Sequence, residues 1–162
     1  MITLPDKSTD QGLEARILLA ECRTPSMFGY TLADAKTCMQ FMDLVLWNRV
    51  ENPGPFGASQ GTLLSVAKAR GQFRGFESYP NYNAGIRANI QDMLNIASKA
   101  NDKRHVAFAA HIQTALDVAK FVSILDPSPG KLVSWRTGGS ASPGTGFTLF
   151  RTVLGVDFYY QK

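Results

Sequence analysis

Ala15-Arg16-Ile17-Leu18-Leu19-Ala20-Glu21-Cys22 carries the apolar repeat of a helix with one residue out of character. At about 100° per residue, Glu21 falls on the face of Ile17 and Leu18, so a charge lies along the stripe meant for the core. An ionised carboxylate taken out of water must be paired, or it binds a proton and stays neutral. A carboxyl kept neutral near pH 7 is the state a general acid needs. The other reading is local: Arg23-Thr24-Pro25 ends the helix, and Glu21 points into solvent from the last turn.

Outward from this helix, helical signals fill most of the chain. Thr9 or Asp10 can cap the first helix, which runs to about Cys22. Thr31-Leu32-Ala33-Asp34 opens a second, with Cys38, Phe41, Met42, Val45 and Leu46 at helical spacing until Asn52-Pro53-Gly54-Pro55 stops it. A shorter helix covers Thr62 to Arg70 and ends at Gly71, which can take the left-handed C-terminal conformation. Asn83 can cap a fourth through about Ser98, with Ile86, Ile90, Met93, Leu94 and Ala97 inward. Asp102 can cap a fifth, whose apolar face comprises Val106, Ala109, Ile112, Ala115, Leu116, Ala119 and Val122 before Asp126-Pro127 breaks it. Beyond that point glycines separate short runs of Val, Trp, Phe, Leu and Tyr. Leu132 to Trp135, Thr148 to Val153 and Val156 to Tyr160 are expected to form a small sheet closing over the helices. The expected fold class is mainly α with a small β and loop-rich C-terminal segment, in one domain over residues 1–162.

Composition narrows the function classes. The 17 Lys and Arg against 13 Asp and Glu give a net charge of +4, a mild bias toward anionic partners such as a bacterial wall. The basic residues are scattered, with Lys103-Arg104 the one adjacent pair, so the clustered face of a nucleic-acid binder is missing and no nucleic-acid partner is expected. The start, Met1-Ile2-Thr3-Leu4-Pro5-Asp6-Lys7, has no signal-peptide core, and no stretch has the length of a membrane span, so synthesis in the cytoplasm and no membrane insertion are expected. Cys22 and Cys38 fall on consecutive antiparallel helices, where either two buried thiols or one disulfide fits.

His105 and His111 are six positions apart, about 240° around a helix, and cannot share a ligand face, so no metal is expected. No phosphate-cradling loop, dinucleotide fingerprint or nucleophile elbow occurs, and no cofactor is expected. The carboxylates remain. Of four glutamates, Glu14 and Glu51 read as solvated residues at a helix start and a helix end. Glu77 lies in Phe73-Arg74-Gly75-Phe76-Glu77-Ser78-Tyr79-Pro80-Asn81-Tyr82, a loop of four aromatic rings among amides and hydroxyls. Such a surface suits carbohydrate, with Phe73, Tyr79 and Tyr82 as candidate contacts; the alternative is that the rings pin the loop to the core.

The order Ala20-Glu21, Val45-Leu46-Trp47-Asn48-Arg49-Val50, Gly71-Gln72-Phe73 and Phe158-Tyr159-Tyr160 resembles the SleB-type cell wall hydrolases, the spore cortex-lytic group. In that family an early helix carries the catalytic glutamate, a second holds a Leu-Asn-Arg-Val-like run, and a Gln-Phe pair precedes a Phe-Tyr near the C-terminus. The resemblance spans most of the chain and implies a lysozyme-like fold with Glu21 at the floor of a groove. It also implies sugar-positioning roles for Asn48, Arg49, Gln72 and Tyr159. One feature departs: family members usually continue Glu-Ala-x-Gly-Glu, where this chain has Glu21-Cys22-Arg23-Thr24-Pro25, so a second acidic residue is lost.

The reaction so implied is cleavage of the β-1,4 bond between N-acetylglucosamine and N-acetylmuramic acid of peptidoglycan, with Glu21 as general acid. Either Glu77 or the substrate's own 2-acetamido oxygen would answer the charge at the anomeric carbon; the second route brings lytic transglycosylation into competition. Small size, basic charge and the lack of an export signal are also similar to the peptidoglycan glycoside hydrolase effectors of type VI secretion. That likeness implies secretion into the periplasm of a target cell and a cognate immunity protein as partner. The rival from another class is a non-enzymatic binding or adaptor domain, in which Glu21 is a buried ion-pair partner.

Overall fold

Helix α1 (Asp10–Glu21) begins where the Thr9 hydroxyl accepts the Gly12 amide at 3.0 Å, satisfying one of the free donors of its first turn. The computed structural model describes residues 2–120 and 124–162. Gly12 is required by crowding: a Cβ there would collide with the Asp6 carbonyl, because the N-terminal segment lies flat against α1. Arg16 holds that segment down by donating to the Pro5 and Gly12 carbonyls at 2.9 and 2.6 Å.

Helix α2 (Leu32–Glu51) is capped by the Thr31 hydroxyl and buries Cys38, Met39, Phe41, Met42, Val45 and Leu46. A single 3₁₀ turn at Gly54–Phe56 leads to α3 (Leu63–Lys68), capped by Thr62; it stops two residues short of the expected Arg70, with Ala69 at its C-terminus, and Gly71 takes its left-handed φ of +73 in the turn beyond rather than as the helix cap. Asn83 caps α4 (Ala84–Ser98) through two amides, Gly85 and Ile86. Helix α5 (His105–Lys120) starts later than a cap at Asp102 implies, because the Asp102 carboxylate turns onto Arg104 and takes its amide and guanidinium. Phe108, Ile112, Ala115 and Val118 form the inner face of α5, whereas Val106 is 75% exposed and does not join it. Val122, expected on that face, lies outside the described residues.

Strands β1 (Lys131–Thr137), β2 (Thr148–Val153) and β3 (Val156–Gln161) make an antiparallel sheet in the order β1-β3-β2. The expected three strands are thus present, joined to five α-helices that pack around one apolar core. Helices α1 and α2 both lie on α5, α4 closes the far side of α5, and β1 packs along α2. Register slips between Leu132 and Ser134, so Val133 drops out of the ladder and its carbonyl needs another donor. Arg49 supplies it, Nε to O at 2.7 Å. Asn48 donates to the neighbouring Leu132 carbonyl at 2.8 Å and to Asp126 at 3.0 Å, and Asp126 takes the Leu132 amide at 2.8 Å. Adjacent side chains of α2 therefore fix where the sheet docks.

Candidate active site

Glu21 is the last residue of α1, and its carboxyl turns inward against β1, where the Trp135 indole N–H donates to Oε2 at 3.3 Å. Burial pushes its pKa above the ordinary carboxyl value, and the indole hydrogen bond only partly offsets this. Glu21 is thus half-buried, with its carboxyl engaged by β1 rather than free in solvent. Trp135 is itself held: its ring meets Phe73 at 5.2 Å between centroids. Phe73 in turn lies under the Arg49 guanidinium, whose carbon is 5.3 Å from its ring centroid and 4.5 Å from that of Phe56. Arg49 completes the set by donating to the Gln72 side-chain oxygen at 2.9 Å. Burial lowers the pKa of Arg49 to about 10, which still leaves it charged at neutral pH.

Four separated pieces of sequence thus converge, in the chain of contacts Glu21, Trp135, Phe73, Arg49, Gln72. Their roles differ from those expected. Asn48 and Arg49 spend their donors on the β1 carbonyls, Asp126 and Gln72, and Arg49 is buried, so both hold the sheet rather than offer themselves to sugar. Phe73, Tyr79, Tyr82 and Tyr159 are buried as well and present no free ring face. Phe76, Tyr79 and Tyr82 stack on one another with centroids 5.4 to 6.2 Å apart, and the Tyr79 hydroxyl donates to the Lys7 carbonyl at 2.9 Å. The aromatic loop pins itself to the core. Glu77 closes that loop locally by accepting the Gly75 amide at 2.7 Å. Gln72 alone of the expected contacts is exposed.

Cys22 and Cys38 are free buried thiols in mutual contact, and the contact together with burial drives the Cys38 pKa upward, away from a reactive thiolate. The disulfide alternative is not formed. His111 is fully buried, with Nδ1 facing the Tyr30 hydroxyl at 3.0 Å, and burial lowers its pKa to about 4. Among the described residues no group of three or more His, Cys, Asp or Glu side chains could hold a metal.

The largest departure is Glu14. Expected in solvent, it is 1% exposed and lies beside Asp43 of α2, which is 2% exposed. The Trp47 indole N–H donates to Glu14 Oε2 at 3.2 Å, while Glu14 Oε1 and Asp43 Oδ2 receive no other donor among the described residues. Two acceptors in contact need a proton between them, and burial followed by the Asp43 hydrogen bond and charge raises Glu14 to about 9. Asp43 is raised too, chiefly by burial. The pair borders a cavity of about 600 Å³ whose walls include Leu44, Trp47, Ala119 and Ile124. The sequence held a signal for it: Glu14 precedes Glu21 by seven positions and so shares its helix face, and Asp43 interrupts the apolar run Phe41-Met42-Asp43-Leu44-Val45-Leu46.

Comparison with protein-family models, with curated proteins and with solved structures finds no match to this chain.

Proposed function

We propose that this chain is a lysozyme-like peptidoglycan glycoside hydrolase that cuts the β-1,4 bond between N-acetylglucosamine and N-acetylmuramic acid, with Glu21 as general acid. The observation that carries the reading is the Glu21 carboxyl: largely desolvated, raised in pKa, and held by a neutral indole rather than by a cation. A cation would strip its proton; the indole fixes its direction without doing so. With Oε2 engaged by Trp135, Oε1 is left to carry the proton to the glycosidic oxygen as the bond to the anomeric carbon lengthens. The order of Glu21, Asn48-Arg49, Gln72-Phe73 and Tyr159 along the chain supports the same reading through its resemblance to the SleB-type hydrolases.

No other carboxylate among the described residues acts on Glu21, and Glu77 is engaged in its own turn. The charge developing on the sugar therefore falls to the substrate's 2-acetamido oxygen. The same geometry lets an internal hydroxyl replace water, so lytic transglycosylation, giving an anhydro product, is the second reading. The setting proposed is that of an antibacterial effector of type VI secretion, acting in a target cell's periplasm and checked by an immunity protein that covers the Glu21 face. The net charge of +4 favours such an anionic wall.

Purified sacculi digested with the wild-type chain and analysed by mass spectrometry test the reading. Glycan fragments with reducing ends indicate hydrolysis, and anhydro ends indicate transglycosylation. Free stem peptides would instead make the chain an amidase or peptidase. Binding without any fragments would make it an adaptor.

A further inference from the structure

The cavity beside Glu14 and Asp43 takes no part in the Glu21 chemistry, and its composition is unusual. Its floor is formed by two carboxyls, each at least 98% buried, with oxygens that no side-chain or backbone donor among the described residues reaches. Trp47, on the same wall, is 37% exposed and donates its indole N–H to the other Glu14 oxygen, Oε2, leaving Glu14 Oε1 and Asp43 Oδ2 without a donor among the described residues. Leu44, Ala119 and Ile124 line the remainder with aliphatic surface. The other charged groups facing the pair are spread around it. Asp10 acts from α1, Glu51 of α2 is paired with Lys131 of β1, Lys120 stands at the end of α5, and Asp126 is taken up by Asn48, Ser128 and Leu132.

We propose that this cavity is a binding site for an aliphatic primary ammonium, with its charge between Glu14 and Asp43 and its methylene stem against Leu44, Ala119 and Ile124. Two acceptors that lack donors are completed by a group having three N–H donors and no acceptor. A buried carboxyl pair is unstable fully ionised and recovers that energy when a cation enters. In the empty site a proton occupies the place of the cation. Binding at neutral pH therefore releases a proton, and affinity climbs with pH, by roughly tenfold per unit below about pH 9. The ammonium of a free alkylamine and that of a lysine-type side chain on a peptide share this chemistry.

The full-length chain titrated calorimetrically with hexylammonium, Nα-acetyl-lysinamide, hexan-1-ol and hexanoate tests the site. At least one ammonium ligand is expected to bind at least tenfold tighter than hexan-1-ol, with hexanoate inactive. Parallel titrations in buffers of different ionisation enthalpy should report release of about one proton at pH 7. Tighter binding of Nα-acetyl-lysinamide assigns the natural source to a peptide, and tighter binding of hexylammonium assigns it to a free amine. Glu14→Gln keeps the shape of the floor and should weaken the ammonium ligands at least tenfold. Ala119→Leu, which fills the stem without touching the carboxyls, should weaken both ammonium ligands and hexan-1-ol together. Hexan-1-ol binding as well as the ammonium ligands, binding without proton release, or no binding of either ammonium ligand at millimolar concentration would each overturn the proposal.

Discussion

Helix α1 presents two glutamates on one face, each with a tryptophan N–H on its Oε2, and the two have been given opposite company. Glu21, at the end of the helix, meets Trp135 and no second acid among the described residues. Glu14, two turns earlier, meets Trp47 and also Asp43. A single desolvated carboxyl with a neutral donor is a proton source aimed in one direction. A desolvated pair holds its proton between two oxygens and gives it up only as pH rises toward about 9 or to a competing cation. On the proposed reading, burial alone does not make an acid catalyst; the neighbour decides whether the proton can leave toward a substrate.

The largest expected effect separates the two directly. Glu21→Gln should reduce release of glycan fragments from purified sacculi by about 10²- to 10⁴-fold, the usual contribution of a general acid, with the melting temperature unchanged or higher. Full activity in that variant would remove Glu21 from the chemistry and make its tryptophan contact purely structural.

Next in size is a stability effect of the Glu14–Asp43 pair, in which Glu14 has the larger part. Its pKa lies above the ordinary 4.5, so the stability it contributes is fully present below 4.5 and is lost as pH rises through about 9. The wild-type chain should lose on the order of 3 kcal/mol of unfolding free energy from this group between pH 4.5 and 7, measured by urea titration. Glu14→Gln should flatten that slope and raise the melting temperature at pH 8. A slope unchanged in the variant would show that the proton is not held on Glu14.

His111 sharpens the comparison because its sign is reversed. Its folded pKa, about 4, lies below the ordinary 6.5, so its contribution is present above 6.5 and disappears as pH falls through 4. The Glu14 trend is therefore cleanest between pH 6.5 and 9, and the acid side should show a loss on the order of 3 kcal/mol that His111→Gln removes. The smallest effect concerns Trp135. Trp135→Phe keeps a ring against Phe73 and deletes the donor that lowers the Glu21 pKa, so the alkaline limb of the pH–activity profile should move to higher pH. The rate at the optimum should fall by roughly threefold to tenfold, far less than for Glu21→Gln.

The helices were legible because their starts are written locally. Thr9, Thr31, Thr62 and Asn83 each accept an amide of the first turn, and such a cap can be read from one or two residues. Glu21 was legible for the same reason, being an acid on an apolar stripe. Glu14 was not, because position near a helix start normally means solvent, and here the N-terminal segment and α2 cover that turn. Asn48 and Arg49 were recognisable as a unit but not in their role: the carbonyls they hold, Leu132 and Val133, lie 84 residues away on an edge strand whose register slips at Val133. Tyr79 and Tyr82 looked like a sugar platform since composition cannot distinguish rings stacked outward from rings stacked on each other.

Gly155, in the turn joining β2 to β3, has φ +69 and lies directly under the Arg23 guanidinium, which a Cβ at that position would strike. Arg23 in turn donates to the Phe28 carbonyl at 3.4 Å, in the loop that follows Glu21. The far tip of the sheet and the segment leaving α1 thus meet at the Arg23 side chain. A methyl added at this remote turn would meet a backbone conformation that favours glycine and would push the Arg23 guanidinium aside, loosening the one side-chain tie from the sheet tip to the segment that leaves the first helix.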